Sequence, residues 1–95
     1  MSSSNTEMLV RMANQIMMFF RVQGEKRAIP AIAEHLMKFW EPSMRDKILA
    51  HVDAGGAGLD PLTLKGIEVM RKNLAAKKKA AAAQPARASG RKVVA

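Results

Sequence analysis

The stretch IAEHLMKFWEPSMR, residues 32–45, carries parts of two helices and the corner between them. Ile29, Ile32, Ala33, Leu36, Phe39 and Trp40 repeat at the i, i+3, i+4, i+7 spacing of one apolar helix face. Glu34 and Lys38 fall opposite as an i, i+4 pair with the acid on the favourable N-terminal side. The step from Glu41 to Pro42 ends this helix, because the residue before a proline avoids the α conformation; the proline itself suits the first position of the next helix. A chain with only three Phe and one Trp thus sets Phe39 and Trp40 at a corner, beside Met44 and Arg45. Two uses fit this placement: a core plug that fixes the corner, or an anchor for another protein, since Trp, Met and Arg are enriched at subunit contacts.

Working outward, the helix before the corner spans about residues 27–40, and it accepts Pro30 only in its first turn. After the corner, a helix over about 43–54 turns Met44, Ile48, Leu49 and Val52 inward and closes at Gly55, which supplies a left-handed cap. Asp60 and Pro61 then read as N-cap and first residue of another helix, with Leu62, Ile67, Met70 and Leu74 on its apolar side. Upstream, a first helix follows Ser4 or Asn5 as N-cap and runs to Gly24, with Glu7 near its positive end. No stretch alternates apolar and polar residues with a period of two. The expected fold is all-α: a small compact bundle of about four short helices, joined by short loops and followed by a flexible basic C-terminal tail.

The first helix is too apolar for an ordinary surface helix. At 100° per residue its Met, Leu, Val, Ala, Ile and Phe side chains cover an arc of about 200°, roughly twice the stripe such a helix needs. Either the other helices surround it, or it is shared with another subunit.

Charge is unevenly placed. The chain of 95 residues has a formal net charge of +8. Residues 1–70 hold eight cations and eight anions, whereas residues 71–95 hold eight cations and no acid. The organisation expected is an N-terminal extension over 1–6, a neutral helical domain over 7–74 and an Ala/Lys-rich, low-complexity tail over 75–95, with any helix that continues into the tail stopped at Pro85. The tail suits solvation, or electrostatic attachment to an acidic surface or RNA. The N-terminus lacks the pattern of a signal peptide, and no apolar run approaches the ~20 residues that span a bilayer, so a soluble cytoplasmic protein is expected.

Catalytic signatures are missing from the sequence. With no Cys there is no disulfide, no thiolate ligand for an iron-sulfur cluster and no thiol nucleophile. His35 and His51 lie on different helices without spaced ligands to complete a metal site, so satisfied or partner-facing histidines are expected. The GGAG run at 55–58 fits neither phosphate-loop pattern, follows a helix instead of a strand and has Asp60 at the helix mouth, which repels anions. It reads as a turn.

Three segments together resemble the delta subunit of the NAD-dependent, molybdenum- or tungsten-containing formate dehydrogenases. They are LVRMANQI with FF shortly after it, IAEHLMKFWEPSMR, and ILAHVDAGGAGLDPL, in that order, and the resemblance covers residues 8 to about 65. The first seven residues and those after Lys72 fall outside it. The resemblance implies a non-catalytic accessory subunit that binds no cofactor and no metal. It also implies a complex with a large alpha subunit, bound directly, that carries a molybdenum or tungsten bis-pyranopterin guanine dinucleotide centre and iron-sulfur clusters, while beta and gamma subunits carry FMN, further clusters and the NAD site. On that footing Arg11, Asn14 and Gln15 of the first helix, with Phe39, Trp40, Met44 and Arg45 at the corner, are the candidate residues for binding the alpha subunit. Two alternatives stand beside it: a small basic nucleic-acid-binding module steered by the tail, which the neutral body disfavours, and a transient assembly chaperone for the cofactor-containing subunit.

Overall fold

The computed structural model describes the backbone of residues 2–88 and the side chains of residues 5–77. Among the described residues four α-helices follow one another, α1 (Ser2–Phe20), α2 (Glu25–Phe39), α3 (Pro42–Asp53) and α4 (Pro61–Ala88), with a 3-10 turn, Arg21–Gln23, between α1 and α2. The described residues contain no strand, and the all-α bundle expected from the sequence is the fold observed.

The ends of the elements differ from the expectations in instructive ways. α1 begins at Ser2, so Ser4 and Asn5 lie inside it instead of capping it. It stops at Phe20, where the tighter turn carries the chain to Gly24. α2 starts at Glu25, two residues earlier than expected, which puts Pro30 in its second turn and not its first. Pro30 removes the bond its amide would donate to the Lys26 carbonyl, and both residues are exposed, so water can serve that oxygen. α4 continues past Pro85 to Ala88, where a stop was expected.

Elsewhere the local chemistry acts as read. Glu41 is extended, at ψ 155°, and Pro42 opens α3. α3 closes in a Schellman motif: the Gly56 amide donates to the His51 carbonyl at 2.8 Å and the Gly55 amide to Val52 at 3.0 Å. Gly55 sits at φ 123°, a conformation that side-chain-bearing residues rarely adopt. The Asp60 carboxylate accepts the Leu62 amide at 2.9 Å and so caps α4.

The core runs through all four helices. Leu9, Ala13 and Met17 of α1, Ala28, Ile32, Ala33 and Leu36 of α2, Ile48 of α3, and Ile67 and Met70 of α4 are buried together with Trp40 and Leu59. Each large side chain so buried contributes about 1.5–3 kcal/mol relative to exposure. α2 and α4 make the most extensive helix pairing, and they approach at Gly66, where a Cβ would lie 2.6 Å from Cγ2 of Ile32. Glycine is tolerated inside α4 because it lets the two backbones come this close. An ion pair between Lys65 and Glu25 joins the same two helices at the surface, and Arg71 of α4 meets Asp53 of α3 at 2.7 Å.

Candidate functional site

Two polar side chains named as partner-binding candidates are engaged within the fold. The Asn14 amide nitrogen donates to the Gly58 carbonyl at 2.9 Å. Its carboxamide oxygen accepts the Asp60 amide at 3.1 Å and the Thr63 hydroxyl at 2.8 Å. One side chain of α1 thereby ties down the 54–60 loop and the start of α4. Arg45 reaches back across the corner, its Nη1 donating to the carbonyls of Trp40 at 2.6 Å and Met37 at 3.0 Å. These carbonyls lie at the C-terminus of α2, where helical partners run out and the dipole favours a cation. The 55–58 turn is held in a similar way, with His51 Nε2 donating to the Ala57 carbonyl at 2.7 Å.

The two aromatic candidates separate. Trp40 is only 5% exposed and belongs to the core, whereas Phe39 is 69% exposed. Placing Phe39 on the buried stripe of α2 is therefore corrected. The stripe is set by Ile32, Leu36 and Trp40, and Phe39, one residue before Trp40, lies about 100° to one side of it. Its ring instead packs on His35 at 4.7 Å, and His35 meets Phe20 at 6.0 Å, which in turn meets Phe19 edge-on at 5.0 Å. These separations lie in the range where aromatic rings attract one another.

This ladder forms the floor and rim of a groove of about 440 Å³ between α1, the C-terminal half of α2 and the start of α3. Gln15, Phe39, Trp40 and Met44 line it, which unites four of the seven candidates; Arg11 stands exposed on α1 one residue from the lining Met12. Met12, Ile16, Phe19, Phe20 and His35 complete the lining and were not among the candidates. The wide apolar arc of the first helix was the signal for four of them, and the i, i+4 relation of His35 to Phe39 the signal for the fifth.

Outside the groove the apolar surface continues. Met8 and Met18 of α1 and Val22 of the turn after it are exposed by 52%, 56% and 84%, and Phe19, on the edge of the groove, by 72%, so the other helices do not surround α1. An apolar groove bordered by such residues has the make-up that contact surfaces between macromolecules favour. It holds one imidazole, one primary amide and no carboxylate, a set suited to docking and poor in general acid-base or metal chemistry. Among the described residues no group of three or more His, Cys, Asp or Glu side chains gathers to hold a metal ion, and no helix is long and apolar enough to cross a membrane.

Comparison with known proteins gives one match. The family described as the NADH-dependent formate dehydrogenase delta subunit, FdsD, matches residues 8–67, which takes in α1 from Met8 onward, the groove, the Asn14 clamp and the α2–α4 contact at Gly66. No curated protein and no solved structure matches. The matched span covers well over half of the chain, which belongs to the delta-subunit family of NADH-dependent formate dehydrogenases.

Proposed function

We propose that this chain is a non-catalytic accessory subunit that docks on the large alpha subunit of a cytoplasmic formate dehydrogenase and supports the assembly or stability of the complex. In this reading the oxidation of formate to CO2 and the reduction of NAD occur on the alpha, beta and gamma subunits, with their molybdenum or tungsten centre, iron-sulfur clusters and FMN. The chain has no Cys to ligate such clusters, and its described residues gather no metal-binding group. It contributes surface instead of chemistry.

One observation carries the proposal: the groove and the outer side of α1 leave Phe19, Val22 and Phe39 more than two-thirds exposed on a 95-residue chain. Side chains of this size in water forgo about 1.5–3 kcal/mol each of available burial, and a partner that covers them recovers it. Of the seven candidates, Gln15, Phe39 and Met44 offer contact through the groove, Arg11 through its exposed cation, and Trp40 and Arg45 support the corner from beneath.

The test is to express the chain with an affinity tag beside the other subunits and identify what is retained. Expected is recovery of the alpha subunit with formate-dependent NAD reduction, and loss of both from the retained fraction for Phe39→Ser. Retention of the alpha subunit undiminished in Phe39→Ser, or failure of the wild-type chain to retain it, overturns the reading. Presence of the chain in purified active enzyme separates a permanent subunit from an assembly factor.

A further inference from the structure

All of the chain's excess charge lies on one segment. Residues 1–70 sum to zero, and residues 71–95 bring eight cations with no acid. The first of these, Arg71, is engaged inside the fold, where Asp53 and Glu68 hold it. Seven cations remain over residues 72–95, three of them consecutive at 77–79. α4 carries this segment away from the core. Among the described residues Met70 is its last fully buried side chain and Leu74 the last packed on the core, yet the helix continues to Ala88, which adds about 21 Å at 1.5 Å per residue. The segment also lies beyond residues 8–67, the span shared with the delta-subunit family, so its use is separable from theirs.

Composition narrows what it can hold. Between Leu74 and Val93 the only apolar side chains are those of Ala and Pro. A protein contact is built on large apolar or aromatic anchors and is depleted in Lys. A helix lying on a membrane needs an apolar face, and a single-stranded nucleic acid needs aromatic rings on which its bases stack. This stretch offers none of the three. What cations alone can hold is the phosphate backbone of a duplex, which is bound by charge without stacking or apolar burial.

The placement of the charge agrees. Positions 77, 78 and 79 follow one another at 100° steps around the α4 axis, and alanines on either side of them keep the helix thin. Such a helix suits a duplex groove about 12 Å wide, where phosphates lie on both flanks. Cations that merely complement the helix dipole belong in the last turn, whereas this run stands more than two turns before Ala88.

We infer that the second half of α4 and the residues after it bind duplex nucleic acid through its phosphates, without sequence preference. The neutral body supplies no basic surface with which to read bases. This activity goes beyond the docking function proposed above and does not depend on it.

Fluorescence anisotropy of short labelled DNA and RNA duplexes titrated with the full chain tests this. Expected is a Kd of about 10⁻⁴–10⁻⁶ M at physiological salt, equal for duplexes of unrelated sequence, with log K falling against log salt at a slope of about −3 to −6, the limit set by seven cations. Replacing Lys77→Gln, Lys78→Gln and Lys79→Gln together keeps the helix propensity, which circular dichroism verifies. That variant is expected to bind at least about tenfold more weakly and to make the slope shallower by about three, with retention of the alpha subunit unchanged. Binding of either duplex in this way supports the inference, and the tighter of the two identifies the nucleic acid. No binding at about 50 mM salt, a slope shallower than about −2 or binding unmoved by the triple replacement overturns it. So does a single strand, a polyglutamate chain or a vesicle of anionic lipid held as tightly as the duplex, and so does loss of alpha-subunit retention in the triple variant, which would place this segment in a protein contact.

Discussion

The Asn14 carboxamide oxygen and the Thr63 hydroxyl meet at 2.8 Å across 49 positions of sequence, and the hydroxyl is fully buried. The bond joins the middle of α1 to the first turn of α4, and the same oxygen accepts the Asp60 amide. Asn14→Ala removes three hydrogen bonds and leaves a buried hydroxyl without its partner. Stability is expected to fall by about 2–3 kcal/mol, the scale of an unsatisfied buried group with its accompanying bonds. Urea unfolding of the free chain measures it. Thr63→Val, which removes the hydroxyl as well as its need for a partner, is expected to cost less than Asn14→Ala.

Gly66 sets a second prediction with opposing terms. Alanine gains about 1 kcal/mol of helix propensity over glycine. Against this, its Cβ would meet Cγ2 and Cβ of Ile32 at 2.6 and 2.8 Å, and overpacking of this kind costs about 1–3 kcal/mol. Gly66→Ala is therefore expected to lower the unfolding midpoint. In an Ile32→Ala background, which removes the Cγ2 that the new methyl meets, Gly66→Ala is expected to cost less than in the wild-type chain, which a double-mutant cycle would show as coupling between the two sites.

Arg45 is expected to act on stability before it acts on binding. Its guanidinium serves carbonyls at the end of α2, so Arg45→Ala deprives that end of its cap and its dipole partner. The expected cost is about 1–2 kcal/mol, read by thermal unfolding of the free chain. Arg45→Lys keeps the charge without the planar fork and is expected to fall between.

How far the sequence revealed this molecule follows from which interactions are local. Pro42, Gly55 and the Asp60 cap act within a few residues, and all three were read correctly. The start of α1, by contrast, was assigned to Ser4 or Asn5, two good cap residues, yet the helix begins at Ser2. Pro30 was placed in a first turn because a proline costs least there, but its carbonyl partner faces water and the helix starts earlier. The candidate site was legible as surplus: an arc too wide for the neighbours available. Its assignment to particular residues was not, since Asn14 and Arg45 look free until the 54–60 loop and the end of α2 are seen to occupy them. Phe39 and Trp40 are adjacent, so one helical step of 100° separates the core from the groove rim, and periodicity over a helix end does not resolve that step.

That step gives the sharpest test of the division between fold and docking. Phe39 is exposed and pairs with the His35 ring, whereas Trp40 is buried in the core. Phe39→Ser is expected to change the stability of the free chain by no more than about 0.5 kcal/mol, as at other surface positions, while reducing retention of the partner at least about tenfold, the loss of one aromatic anchor. Trp40→Ala is expected to cost about 3–5 kcal/mol of folding stability through the cavity it leaves, and on a domain this small that is most of the total. Its binding defect should then track the unfolded fraction and recover on cooling toward the temperature of maximum stability, whereas the Phe39→Ser defect should persist wherever the chain is folded. Measuring partner retention and circular dichroism together across temperature separates the two. A Phe39→Ser chain that unfolds with Trp40→Ala would place Phe39 in the fold and remove it from the docking surface.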